Sequence, residues 1–184
     1  MARASAWPLV VTALVAKMRA RPGYCSPTSA ASGIPVYHSV EVGLSSHSPT
    51  GPILVIGWIG DPDTMPTEPG TSGQSIATLG TQHHRAEEGT IACAVIAKTG
   101  DAEPGGDTAV EAGTVGSAMN AVFAVADDLD AVLRADPSLG IVGPTYPDVQ
   151  ALVAYIDGLP AVQPWLNEGI VWRLELSVRF TARI

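Results

Sequence analysis

The 184 residues contain only two cysteines, Cys25 and Cys93. That is too few for a disulfide framework, and Cys93 sits in an apolar run where a small thiol packs well, so both are expected to be reduced and structural. Basic residues are scarce too. Ten Lys and Arg against eighteen Asp and Glu leave a formal charge of −8, which argues against a surface built to grip phosphates, since nucleic-acid affinity comes from clustered cations. An acidic wall repels a polyanion and suits a conduit through which DNA slides without sticking. No stretch approaches the roughly 18 to 20 apolar residues needed to span a bilayer, so no transmembrane anchor is expected. The short run at residues 7–16 imitates a signal-peptide core, but Lys17, Arg19 and Arg21 follow where a small-residue cleavage site belongs. Secretion is therefore not expected, and the chain should be made and act in the cytoplasm.

The signatures of chemistry are missing as well. Gly105-Gly106 lacks the Lys-Ser/Thr of a phosphate-binding loop, and no Gly-x-Gly-x-x-Gly opens a helix after a strand. Ser72 and Ser117 do not form a nucleophile elbow, and neither His38 nor His47 has an arrangement that assigns it a role. The one cluster with ligand chemistry is His83, His84, Glu87 and Glu88, because imidazoles and carboxylates suit zinc. Adjacent histidines on a strand point to opposite faces, so a polar turn or subunit contact is the better reading. A small metal-dependent enzyme using His83, His84 and Glu87 is the alternative of a different class. No catalytic residue, cofactor or metal is expected.

What is present describes a folded chain. With 46% hydrophobic and 15% charged residues, it is too apolar for disorder and too interrupted for a membrane protein. Its length suits one domain over residues 1–184. Nineteen Gly and fifteen Pro gather between the periodic segments and predict long loops at 26–33, 61–74 and 99–107. The second loop carries Asp61, Asp63 and Glu68 and is a candidate docking arm that orders on a partner.

Pro8 suits the first turn of a helix, and Val11, Leu14, Val15 and Met18 continue it at spacings of three and four. Pro22 and Gly23 end this short helix near Arg21. Two β-rich runs follow at 36–44 and 53–60, the second apolar on both faces and hence a central strand. Strand signal returns at 75–81 and 90–98, with the tract 82–89 between them either a hairpin loop or the continuation of one bent strand. The longest helix is expected over residues 108–135, with Asp107 as N-cap and an apolar stripe of Val115, Ala118, Met119, Val122, Val125, Ala126, Leu129, Val132 and Leu133. Asp127, Asp128 and Asp130 read as a solvated face rather than a metal site. Of the tryptophans, Trp58 and Trp172 fit core positions, whereas Trp7 and Trp165, each beside a proline, suit either core or contact.

The cleanest signal closes the chain. After residues 149–156 and a turn region rich in Pro and Gly, Ile170, Trp172, Leu174, Leu176, Val178, Phe180, Ala182 and Ile184 alternate without a break against Val171, Arg173, Glu175, Ser177, Arg179, Thr181 and Arg183. Period two over this run means one strand with a buried and a polar face, spanning about 50 Å at ~3.4 Å per residue. That exceeds the needs of most small sheets, so the strand is expected to reach beyond its own subunit. The fold class is α+β: an antiparallel or mixed β-sheet with a long helix packed on one face and a short N-terminal helix. Its open edges must be covered or paired, and ring formation is one solution. Arg85, Glu87, Glu88, Arg173, Glu175, Arg179 and Arg183 are the candidate subunit-interface residues, with Arg173, Arg179 and Arg183 on the exposed face of the last strand.

The order of segments resembles the tail terminator family of long-tailed, siphovirus-type bacteriophages, particularly those of actinobacterial hosts. The strand Ile53-Leu-Val-Ile-Gly-Trp-Ile-Gly-Asp61 carries the resemblance, with the stretches 75–80 and Arg85-Ala-Glu-Glu-Gly-Thr-Ile-Ala-Cys-Ala-Val95. So do the helix end Asp127-Asp-Leu-Asp-Ala-Val-Leu-Arg-Ala-Asp-Pro-Ser-Leu-Gly140 and the closing strand from Gly169 to Arg183. Its specificity lies in the ordered combination, not in any one fingerprint. The resemblance implies a homo-oligomer, a hexameric ring on the finished tail tube, at the head–tail junction of the virion. Its partners would be the tail tube protein and the neck or head-completion (stopper) protein, with DNA passing through the lumen without specific binding. It implies no catalytic residue. Another neck or tail component, such as a head-completion protein or tube subunit, is the neighbouring alternative.

Overall fold

The computed structural model describes residues 5–27, 32–38, 51–57, 70–79, 82–99, 112–144, 146–166 and 170–184. Two helices and seven strands follow in the order α1 (Trp7–Ala20), β1 (Tyr24–Cys25), β2 (Ile34–His38), β3 (Ile53–Ile56), β4 (Gly70–Leu79), β5 (Gln82–Thr99), α2 (Ala112–Ala135), β6 (Ala151–Leu166) and β7 (Ile170–Arg183). The sheet runs β1-β2-β3-β5-β7-β6, with β4 also paired to β5. It is mixed. The pairs β1–β2 and β2–β3 are parallel, and all the others are antiparallel. The α+β class holds, and β3 is interior as expected, buried at all four positions.

Strand β5 organises the sheet. Along one edge it pairs with β7 over residues 86–99. Along the other it pairs with β4 over 82–91 and then with β3 over 93–96. The tract 82–89 is thus strand, and β4 begins at Gly70, so residues 70–74 of the expected 61–74 loop belong to the sheet. The Pro- and Gly-rich stretch after Ile156 is likewise strand rather than turn, as β6 continues to Leu166 through a register shift between Asp157 and Ala161. At that irregularity residues 158–160 of β6 stand against Leu176 alone, which accommodates residues unfit for a regular ladder.

The closing strand differs from expectation in one respect. Flanked by β5 and β6 along its length, β7 is paired inside its own subunit and does not project from it. Ile184 still exchanges backbone hydrogen bonds with Arg85, at 2.8 and 3.0 Å. The strand that outruns its neighbours is β5, whose first residues, Gln82 to His84, pair with β4 alone.

Both helices pack on one face of the sheet. Val10, Val11, Leu14, Val15 and Met18 of α1 join Val122, Val125, Leu129 and Leu133 of α2 over Ile91, Cys93 and Val95 of β5 and Leu174, Val178 and Phe180 of β7. Helix α1 carries its proline in the first turn and ends at Ala20, as the sequence predicts. Helix α2 is described over Ala112–Ala135; residues 100–111, including the expected start Thr108 and cap Asp107, lie outside the described residues. From Ala118 onward its stripe holds except at Met119, which is 36% exposed; the side chain of Val115 lies outside the described residues. Cys25 and Cys93 are buried and free, and burial pushes the Cys93 thiol up to about 12, which leaves it inert as a nucleophile.

Three polar ties hold the helical layer together. Arg21 and the Tyr24 hydroxyl (2.7 Å) both reach the Asp128 carboxylate, so Asp128 is not simply solvated. Burial, reinforced by that carboxylate, raises the Tyr24 phenol above its ordinary value. Lys17 meets Asp136 at 2.6 Å, and Arg19 donates twice to the Val36 carbonyl, at 3.0 and 2.8 Å. Leu139 takes a left-handed conformation (φ 54°) in the turn after α2, held there by its buried side chain and by its N–H donating to the Asp136 carbonyl at 3.0 Å.

Candidate functional site

Of the seven residues singled out as a subunit interface, six fall into three environments and Arg85 stands apart. Glu87 leaves the surface altogether. On β5 it shares the helix-facing parity of Ile91, Cys93 and Val95, and it is 0% exposed. Its carboxylate accepts hydrogen bonds from Ser5 Oγ at 2.5 Å and from the Ala6 N–H at 2.7 Å. Ser5 Oγ in turn accepts from the Trp7 N–H at 3.1 Å. The pair satisfies orphan donors at the start of α1, where a negative charge also complements the helix dipole. Glu87 is a lock between helix and sheet, not a subunit contact.

Arg173 and Glu175 form the second environment. Arg173 was expected on an exposed face, yet its side chain is only 15% exposed and it pairs with Glu175 at 2.8 Å. The reason lies in cross-strand register. Arg173 is opposite Ile96, which is opposite Ile53, and Glu175 is opposite Ala94, which is opposite Val55. Ile53 and Val55 are buried in a second cluster with Tyr37 and Ile96, so this end of the non-helical face is covered. Arg173 Nε is buried there without a hydrogen-bond partner among the described residues, and so is Trp172 Nε1 on the helix-facing side.

The third environment is open. On the same face, toward the other end of β7, Arg179 reaches Glu88 of β5 at 3.5 Å and Asp157 of β6 at 3.6 Å, tying three strands together across solvent-exposed positions. Arg183 and Thr181 are exposed beside it, as are Val153 and Tyr155 of the end strand β6. Among the described residues this open patch is balanced in charge, Glu88 and Asp157 against Arg179 and Arg183. The chain's acidic excess is not concentrated on it. Arg85 is exposed on the helix-facing parity of β5, beyond Glu87.

Two strands bound the antiparallel part of the sheet, β4-β5-β7-β6. The outer edge of β4 is unpaired among the described residues, and its sequence Gly-Thr-Ser-Gly-Gln-Ser-Ile-Ala-Thr-Leu contains neither a charge nor a proline. Both are the usual guards against edge pairing. On the other side, the outer edge of β6 receives one covering backbone bond among the described residues, from the Ala154 N–H to the Pro137 carbonyl at 2.9 Å. Between α2 and β6 lies a groove of about 270 Å³ lined by Phe123, Ala126, Asp127, Asp130, Arg134, Ile156 and Leu176.

The docking-arm residues Asp61, Asp63 and Glu68 lie outside the described residues, as do Trp58, His47 and the side chains of His83 and His84. In register, His83 is opposite Thr78 and His84 opposite Ala77. Among the described residues no group of three or more His, Cys, Asp or Glu is placed to hold a metal ion, and no helix is long and apolar enough to cross a membrane. The open edges were not foreseen strand by strand; the Glu87 lock was missed, although its parity with Ile91 and Cys93 was a readable signal. No protein-family model matches the chain, and no curated protein matches it.

Proposed function

We propose that this chain is a structural assembly subunit of the tail-terminator kind: copies close into a hexameric ring on the end of a phage tail tube, stop its growth and offer the neck its attachment surface. The observation that carries the reading is the four-stranded antiparallel segment β4-β5-β7-β6 with an unguarded edge on one side and a nearly open edge on the other. An unpaired row of N–H and C=O groups is a template for another chain. A subunit with two different open edges joins head to tail, and a head-to-tail contact closes into a ring when its rotation permits.

In such a ring, β6 of one copy joins β4 of the next, with the helices outside and the open patch of Arg179, Glu88, Asp157, Thr181 and Arg183 toward the lumen. Its balanced charge gives DNA neither a basic stripe to bind nor a strong barrier to cross. The subunit role itself calls for no catalytic group.

The test mixes purified protein with growing tail tubes and follows them by negative-stain electron microscopy. Six-fold rings at one tube end and arrested elongation are expected. A protein that stays monomeric and leaves the tubes uncapped and growing overturns the proposal, and incorporation along the tube wall would make it a tube subunit instead.

A further inference from the structure

We infer that, when copies of this chain join, Arg85 of one copy pairs with Asp127 of the next, in the groove between α2 and β6. The inference rests on the edge-joined ring proposed above and names the charged contact that sets its partner and register. The groove lies between α2 and the last two strands of the sheet, β7 and β6. Ile156 and Leu176 form its floor, and Phe123, Ala126, Asp127, Asp130 and Arg134 form its helical wall.

Within that wall the charges are unequal. Asp130 is paired to Arg134 at 2.6 Å across one helical turn, whereas Asp127 has no ion-pair partner among the described residues. Phe123, 37% exposed, and Met119, 36% exposed, lie one helical turn apart on α2 and leave apolar surface to be covered. The site therefore calls for a cation carried on a surface that also covers these side chains.

The same chain supplies that cation. Arg85 is exposed, has no ion-pair partner among the described residues, and shares the helix-facing side of β5 with Glu87, Gly89 and Ile91. It lies opposite Ile76, one strand in from the open edge of β4. Joining that edge to β6 carries Arg85 to two strand spacings, about 10 Å, from the neighbour's β6, on the same side of the sheet as its α2. A chain of net charge −8 repels its own copies unless opposite charges meet at the contact, and Arg85 with Asp127 is an unspent pair of the right signs.

The experiment measures self-association by sedimentation velocity over a range of concentrations for the wild type, Arg85→Glu, Asp127→Arg and the double variant. Each single change should weaken association roughly tenfold or more, and the double variant should return to within about threefold of the wild type, because the pair is restored with its signs exchanged. Independently, Arg85→Cys and Asp127→Cys proteins, mixed and treated with a short bis-maleimide, should give a cross-linked heterodimer. The native Cys25 and Cys93 are buried and do not compete. Wild-type oligomers with unchanged single variants, or no rescue and no cross-link, overturn this contact and leave the ring intact. A wild type that never associates and never caps tubes overturns the ring itself, and the contact with it.

Discussion

The two faces of β7 show how differently one strand can be used. Toward the helices, Leu174, Leu176, Val178, Phe180 and Ala182 are all buried, a dry layer against α1 and α2. On the other side, Arg173 and Glu175 are largely covered, Arg179, Thr181 and Arg183 are exposed, and the contacts are ion pairs. Buried aliphatic area contributes kilocalories per side chain, whereas exposed ion pairs contribute tenths. The helix side therefore holds the fold, and the open end of the other side is free to change without unfolding the subunit. That is the division of labour an assembly subunit needs.

The sharpest way to break the comparison is a matched pair of truncations on adjacent residues. Phe180 is fully buried and Thr181, its neighbour, faces out. Phe180→Ala should lower unfolding free energy by about 3–5 kcal/mol, and Thr181→Ala should stay within about 0.5 kcal/mol, both read by chemical denaturation at unchanged slope. Equal effects would mean that the outer face carries stability too.

Glu87 tests the one fully buried charge on the helix side among the described residues. Removing its carboxylate leaves the buried Ala6 N–H and the part-buried Ser5 hydroxyl without this acceptor. Glu87→Ala should therefore destabilise by about 1–3 kcal/mol, with the N-terminal turn of α1 losing hydrogen-exchange protection before the rest of the helix. The same change at Glu88, exposed and at 3.5 Å from Arg179, should alter stability by less than about 0.5 kcal/mol. A reversal of that order would return Glu87 to the surface role first expected of it.

How far these features were legible depends on whether they are periodic. The alternation at β7 and the apolar run of β3 announce their strands, because burial on one face or two leaves a mark in the sequence. Residues 70–74 and 157–166 left no such mark. Both stretches are rich in glycine or proline and read as loops, yet both lie in strands whose outer edge is largely unpaired among the described residues, where a missing N–H costs nothing when it points away from the partner. Pro164 of β6, opposite Trp172, sits on such a strand. Projection of β7 from the subunit was inferred from its length alone, and length does not reveal that β5 is longer still. The groove at Asp127 joins α2 to strands more than twenty residues away, a proximity no local pattern encodes.

The smallest expected effect concerns the tie between Lys17 and Asp136, the helical layer's counterpart to the exposed pairs of the outer face. A hydrogen bond from Lys17 and a second from Ser138 hold the Asp136 carboxyl below its usual 3.8. With the folded value depressed, the unfolded chain takes up the proton first as pH falls. The contribution is therefore complete above about pH 4 and is lost as pH falls through the folded value. Both side chains are about a third exposed, so solvent screening limits the tie to about 0.5 kcal/mol. Asp136→Asn should accordingly melt slightly below the wild type at pH 7, and the gap should narrow below pH 4. A gap that stayed constant into acid would assign the loss to the turn at Ser138 and Leu139 rather than to charge, and would leave the polar hold on the helical layer to Asp128, Arg19 and Glu87.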